Sequence, residues 1–251
     1  MLILLTNDDG INASGLKALK DAMSELGEVW VVAPATEQSG VSHGFSLRGP
    51  LKVDEVHSDG RLFGHAVSGT PVDAVKVAVR ALLPRMPDLV VSGINAGENT
   101  GVDLLYSGTV AGAMEGAMLG IPSLAFSLAS RSYTDFDASA QFASKICRKV
   151  IERGLPAGLM VNVNVPPFPL DQIKGVRITR QGNSFYEEAL ERREEPGGVK
   201  YYWKRWAKSL SEDGNGSDVC AIRDGYISIT PIHSRLTETA MIPVMEEWQL
   251  G

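Results

Sequence analysis

The feature that most constrains this chain is a short apolar segment that ends abruptly in acid. Leu2-Ile3-Leu4-Leu5-Thr6 reads as a buried strand, and it is cut off by Asn7-Asp8-Asp9-Gly10. An apolar strand cannot run on through two adjacent carboxylates, and Gly10 permits a sharp exit. Ser14 to Leu26 then reads as a helix with Leu16, Leu19, Met23 and Leu26 on one face, stopped by Gly27. Glu28 to Ala33 (EVWVVA) is a second buried strand, stopped by Pro34. Strand, helix and strand in immediate succession predict a right-handed crossover and a parallel sheet, hence an α/β fold. Ligands of such sheets collect outside the carboxyl ends of the strands. The acidic pair therefore sits where a cation would relieve its repulsion. A helix-capping turn is the other reading of the same residues.

The βα rhythm continues for most of the chain. A polar loop, Ala35–Gly44 (ATEQSGVSHG), follows the second strand, and 51–56 with 62–67 suggest a hairpin around Ser58-Asp59-Gly60. Thr70-Pro71-Val72-Asp73 has a hydroxyl cap, a first-turn proline and an acid three residues on, and it opens a helix running to about Leu83. Asp88–Ser92 is the next strand, followed by a Gly/Asn-rich loop from Gly93 to Tyr106. Ser107–Leu119 and Phe136–Arg153 read as helices, and Pro122–Ser127 and Leu159–Val165 as strands. After Pro169 the texture changes. Val176–Arg180 and Tyr226–Pro231 read as late strands and Thr237–Trp248 as a terminal helix. The charged, aromatic stretch Asn183–Asp218, which contains KYYWKRW, reads as a protruding arm suited to oligomer contacts, with a core hairpin as the alternative. The expected division is a catalytic domain over 1–182 and an arm with C-terminal segment over 183–251.

Three of these loops follow strand ends, and a doubly wound sheet would gather them at one edge. They supply the carboxylates of Asp8 and Asp9, the hydroxyls of Ser39 and Ser42, and the amides of Asn95 and Asn99. Oxygen-only donors suit Mg²⁺, Mn²⁺ or Ca²⁺ rather than zinc. Tyr106-Ser107-Gly108-Thr109-Val110 opens a helix whose free N–H groups could receive phosphate, with Ser107 as a plain N-cap being the other reading. Gly108, Gly112, Gly116 and Gly120 recur every fourth residue along it, which points to close packing rather than chemistry. His43, four residues after Ser39, is positioned to protonate a leaving alkoxide.

The net charge of −6 argues against nucleic-acid or membrane-surface binding but not against small phosphorylated substrates, whose charge a metal neutralises. Two well-separated cysteines, Cys147 and Cys220, fit free buried thiols and a cytoplasmic protein. No signal-peptide pattern or membrane-length apolar run is expected to act on this chain.

In order along nearly the whole chain, the sequence carries TNDDG (Thr6–Gly10), VVAP with EQSG (Val31–Gly40), SGTP (Ser68–Pro71), SGINAGENTG (Ser92–Gly101) and YSGTVAGAMEG (Tyr106–Gly116). NVNVP (Asn162–Pro166), TRQG (Thr179–Gly182) and GYISITP (Gly225–Pro231) follow. With these motifs it resembles the SurE family of stationary-phase survival nucleotidases. The resemblance implies a Rossmann-like three-layer αβα sandwich with a mostly parallel sheet. It further implies a C-terminal hairpin arm and helix that exchange segments in dimers or tetramers.

The implied activity is metal-dependent hydrolysis of nucleoside monophosphates at the 5′ and also the 3′ position, with trimming of short polyphosphate in some members. The resemblance assigns one divalent ion, Mg²⁺ or Mn²⁺, to Asp8, Asp9, Ser39 and Asn95, and the phosphate to Asn99, Ser107, Gly108 and Thr109. Asp8 and Asp9 are then the catalytic pair, with water expected as nucleophile in preference to an aspartyl carboxylate. Two departures stand out: Glu98 where proline is usual, and Ala74 where cysteine is usual, which argues against a catalytic thiol there. A non-catalytic, metal-dependent nucleotide sensor is the rival reading. A receiver domain would need an acid where Ser92-Gly93-Ile94-Asn95 offers only an amide.

Overall fold

The computed structural model describes residues 1–184, 186–195, 197–208 and 215–250; the parts of the expected arm at 185, 196 and 209–214 lie outside the described residues. Its centre is a nine-stranded sheet. In chain order the strands are β1 (Leu2–Thr6), β2 (Glu28–Pro34), β3 (Val53–Ser58), β4 (Arg61–Val67), β5 (Leu89–Ala96), β6 (Ser123–Leu128), β7 (Leu159–Val165) and β8 (Val176–Ile178), with β11 (Ile227–His233) completing the set. Their spatial order is β3-β4-β2-β1-β5-β6-β7-β11-β8. The run β4 to β7 is parallel throughout, while β3 and β11 pair antiparallel with β4 and β7. β9 (Tyr186–Glu194) and β10 (Lys200–Lys208) form a separate antiparallel ribbon, Lys200 opposite Glu194. The expected arm is thus a hairpin paired with itself rather than with the main sheet.

Helices cover both faces. α1 (Ser14–Ser24) and α4 (Asp137–Arg153) pack together on one side, around Leu16, Leu19, Phe126, Phe142 and Val163. α2 (Pro71–Val77) and α3 (Gly108–Met118) pack on the other, around Leu4, Val75, Val90, Ala113 and Met160. The interior strands β1, β5, β6 and β7 are buried on both faces, which is why they read as continuous apolar runs.

Several boundaries differ from expectation. β5 does not stop at Ser92 but continues to Ala96, with its register to β6 shifting between Ser92 and Asn95. α1 ends at Ser24; Leu26 is held by a turn to the Met23 carbonyl. The terminal helix is only α6 (Met241–Glu246), and a short α5 (Asp218–Arg223), capped by Ser217, follows the arm.

Of the four spaced glycines, Gly108, Gly112 and Gly116 are packed closely as expected, whereas Gly120 lies past the end of α3 at φ +81° with open space around it. A Cβ at Gly112 would lie 2.9 Å from Thr6 Cγ2, and one at Gly116 2.5 Å from Ser123 Oγ. The helix therefore lies directly on β1, β5 and β6. Its glycines allow an approach that alanine would block, and this offsets their poor helix propensity.

Candidate active site

The chain leaves β1 and crosses to β2 on one side, then later enters β5 on the other side of β1. That reversal opens a crevice at the carboxyl ends of β1 and β5, where ligands of open α/β sheets bind. Asp8 and Asp9 stand at that point.

Backbone bonds tie the surrounding loops to this pair. The Gln38 N–H donates to the Asp8 carbonyl at 2.7 Å, which docks the Ser39 loop onto the exit of β1. The Ala96 N–H donates to Asp9 Oδ2 at 3.2 Å, which brings in the end of β5. The Ser42 N–H donates to the Tyr106 carbonyl at 3.0 Å and its hydroxyl to the Leu105 carbonyl at 2.7 Å, joining the same loop to the start of α3. The Thr109 hydroxyl donates to Asp8 Oδ1. The structure therefore gathers Asp8, Asp9, Ser39, Asn95 and the Ser107–Thr109 turn at one edge.

The electrostatics are those of two acids short of a cation. Asp8 is buried, and burial pushes its carboxyl up; the Thr109 hydroxyl and the backbone amides of Thr109 and Gly108 oppose this. Asp9 is pushed up to about 6, by burial first and then by the Asp8 charge, with the Ala96 amide and Arg131 acting the other way. Among the described residues no group of three or more His, Cys, Asp or Glu is placed to hold a metal. The site has instead two carboxylates and neutral oxygens. Asn95 donates its Nδ2 to the Gly97 carbonyl at 2.8 Å, which leaves the amide oxygen as its acceptor. The Ser39 hydroxyl rests on Glu37 Oε1 at 2.6 Å. This oxygen donor set, with its uncompensated acidic pair, fits a hard divalent cation.

The helix N-terminus is arranged more tightly than the sequence suggested. Ser107 is the N-cap of α3, accepting from the Val110 N–H at 3.1 Å. Gly108 is the point of closest approach: a Cβ there would lie 2.8 Å from Asp8 Cβ and 3.0 Å from Oδ2. Asp8 thus shares the positive end of α3 with any incoming anion.

Asn99 is buried and held from three sides. Its Nδ2 donates to Ser127 Oγ at 2.7 Å, its N–H to Asn164 Oδ1 at 2.8 Å, and its carbonyl accepts from Asn162 and Asn164. These supporting residues carry no chemistry of their own and were missed in the sequence. The signal was present, since two amides interrupt the apolar run LMVNVNV of β7.

His43 stands apart from this cluster. Its Nε2 lies 3.0 Å from Glu115 Oε2, and Lys76 Nζ lies 3.6 Å from Glu115 Oε1. Burial works against the Glu115 charge, but His43 and Lys76 together hold its carboxyl below the usual range. Glu115 is seven residues along α3 from Gly108, roughly 10 Å down the helix axis. In this structure the imidazole anchors the Ser39–Gly44 loop to the flank of α3. Ala74, at the departure noted above, is buried in α2 against the core, and both cysteines are free and buried.

A family model described as survival protein SurE matches residues 3–188. The chain belongs to the SurE family. It is 48% identical over 250 residues to the 5′-nucleotidase SurE of Syntrophobacter fumaroxidans, covering all of both chains. It is 46% identical over 252 residues to that of Symbiobacterium thermophilum, covering 99% of this chain and 98% of the relative. The crystal structure of the SurE protein from Aquifex aeolicus superposes with a TM-score of 0.87 at 39% identity, covering 99% of this SurE-family chain and 100% of the other. The likeness therefore extends through the C-terminal segment, beyond the part the family model matches.

Proposed function

We propose that this SurE-family chain is a metal-dependent nucleotidase, hydrolysing nucleoside 5′-monophosphates to nucleoside and phosphate. The observation that carries the reading is the adjacent pair of buried Asp8 and half-buried Asp9 at the sheet's switch point, with Asp8 bonded directly to the N-terminal turn of a helix. Asp8, Asp9, Ser39 and Asn95 would hold the ion. When bound, a divalent cation there supplies a Lewis acid for the phosphoryl group and lowers the pKa of water. The chain's own residues orient and stabilise. Ser107 offers its hydroxyl and the Gly108–Thr109 turn its amides to the non-bridging oxygens, where charge builds in the transition state, and the Thr109 hydroxyl, held by Asp8 in the free protein, is released to them once an ion satisfies that carboxylate. Asn99, anchored on β6 and β7, would add an amide donor to the phosphate. We assign His43 to holding the Ser39 loop on Glu115. The non-catalytic sensor is not favoured, because full-length relatives are named nucleotidases.

The protein acts as a homo-oligomer in this reading, with the β9–β10 ribbon in the contact. Tyr202 and Trp203 on that ribbon are exposed, as aromatic residues at interfaces are in the separated chain. A cytoplasmic location fits the free thiols, and no helix of the described residues is long and apolar enough to cross a membrane.

Phosphate release from a panel of 5′- and 3′-nucleoside monophosphates and short polyphosphate tests the reading. The panel is run with Mg²⁺ or Mn²⁺ and with chelator. Release that requires the metal is expected. Nucleotide binding without release across the panel would leave the sensor. Release indifferent to chelator would place the chemistry elsewhere.

A further inference from the structure

The loops that build the site, 7–10, 35–44 and 93–109, contain no lysine or arginine. Their charged residues are Asp8, Asp9, Glu37, Glu98 and Asp103, all acidic. A phosphate monoester is a dianion near neutral pH, and a single divalent ion shared with two carboxylates leaves it uncompensated. The donors at the start of α3 are neutral, and the Thr109 hydroxyl and the Gly108 and Thr109 amides already act on Asp8.

Among the described residues, a cation from a different loop stands beside the Asn95 side of this acidic edge. Arg131 follows β6 and lies against the turn that follows Asn95. A Cβ on Gly97 would lie 3.4 Å from both Cγ and Nε of Arg131, so the arginine side chain runs within contact distance over that turn, and Gly97 itself has φ +128°. The backbone beneath it is fixed. The Gly97 N–H donates to the Leu128 carbonyl at 2.9 Å, and Ser130 Oγ accepts from the N–H groups of Ser132 and Tyr133 at 3.2 and 3.0 Å. The side chain itself is exposed and makes no hydrogen bond or ion pair among the described residues. Its charge is nonetheless felt at Asp9, where it favours the carboxylate.

We propose that Arg131 is a substrate-binding residue: it receives the phosphate dianion on the Asp9–Asn95 side of the site, opposite the α3 N-terminus. The inference rests on the nucleotidase reading and adds to it the one side-chain cation that the motif loops lack. A guanidinium suits the task, because its planar donors pair two phosphate oxygens at once and it never loses its charge. In the free protein it rests over the Gly97 turn without an ion pair among the described residues; with substrate present it turns to the phosphate.

The test uses Arg131→Gln and Arg131→Lys in the full chain, with three readouts. The first is steady-state hydrolysis of a nucleoside 5′-monophosphate. The second is calorimetric binding of inorganic phosphate to the Mn²⁺-loaded protein. The third is Mn²⁺ affinity without phosphate. Expected for Arg131→Gln is a rise of about tenfold or more in KM and in the phosphate dissociation constant, the loss typical of a charge-assisted pair. Its Mn²⁺ binding should be unchanged or tighter, because a cation beside Asp9 has been removed. Arg131→Lys should recover part of the phosphate affinity.

Phosphate affinity within twofold of the parent would overturn the proposal and leave Arg131 a solvated surface residue. A parallel loss of Mn²⁺ affinity would also overturn it, since the arginine would then be holding the loop. A parent that binds phosphate through Arg131 yet cleaves no nucleotide would instead count against the nucleotidase reading, so the two fail separately.

Discussion

Replacing Asp9 by asparagine should stabilise the metal-free protein, although it removes a central residue of the site. Asp9 is raised from 3.8 to about 6 in the folded chain, mainly by burial and by the neighbouring charge of Asp8. Between those values the folded state holds a proton that the unfolded state has released. Stability contributed by this group therefore falls as pH rises from about 4 to about 6, and the deficit persists above that. At roughly 1.4 kcal/mol per pH unit the ceiling is about 3 kcal/mol, and solvent screening of a half-buried group reduces it to about 1–2 kcal/mol. Asparagine carries no charge to desolvate, and its side-chain oxygen can still accept the Ala96 N–H.

In chelator at pH 7.5, Asp9→Asn should therefore melt roughly 2–8 °C above the parent, using about 2–4 °C per kcal/mol for a chain of this size. The gap should close as pH approaches 4. Adding Mn²⁺ should reverse the order: about 3 kcal/mol is gained by a protein at a hundredfold excess of ligand over Kd, and only the parent binds that well. Differential scanning calorimetry with and without metal, at pH 4.5, 6 and 7.5, reads all of this. A variant less stable than the parent in chelator at pH 7.5 would refute the picture of an uncompensated acidic pair. An unaltered metal-induced shift would refute the assignment of Asp9 to the ion.

Two further substitutions probe the supporting structure. Gly108→Ala puts a methyl 2.8 Å from Asp8 Cβ and 3.2 Å from Val41 Cγ2. Asp8 is fixed at a strand end, so the helix must shift; urea denaturation should show a loss of about 1–3 kcal/mol, accompanied by weaker metal binding by titration. Asn164→Ala removes both the acceptor for the Asn99 N–H and a donor to its carbonyl. Asn162 still serves the carbonyl, so the buried Asn99 N–H is the group left unpaired; that should cost about 1–3 kcal/mol, and KM should rise more than metal affinity falls if Asn99 serves the phosphate as proposed. Unchanged kinetics in that variant would separate Asn99 from the substrate.

Much of this was already legible from local pattern. Leu2–Thr6 ending in two acids read as a strand whose exit was either a site or a capping turn, and the strand is as read. The glycines of α3 could only be tolerated against a close surface, which proved to be Thr6, Ser92, Val90 and Ser123 of the sheet. The Thr70–Asp73 capping box formed as read. Less legible was the course of β5. Gly93 and Asn95 look like loop residues, yet pairing with β6 extends the strand to Ala96 across a change of register. Local propensity yields there to neighbours that lie far away in sequence. The terminal helix was overextended for the opposite reason: its apolar residues Met241, Ile242, Val244 and Met245 remain exposed in the single chain, without a packed face to sustain a longer helix.

The sequence by itself determined the α/β class, the acidic pair at the first strand's end, the oxygen-only donor set and the family. These follow from periodicity and residue chemistry within short windows. Only the tertiary structure decided what surrounds them: that the Asp8 carboxyl leans on the start of α3, that Asn162 and Asn164 clasp Asn99, that His43 rests on Glu115, and that Arg131 reaches the turn at Gly97. Each of these contacts joins residues from about 35 to just over 100 positions apart. Such pairings are set by strand order and by the close packing of α3 on the sheet, and no window of local sequence contains them.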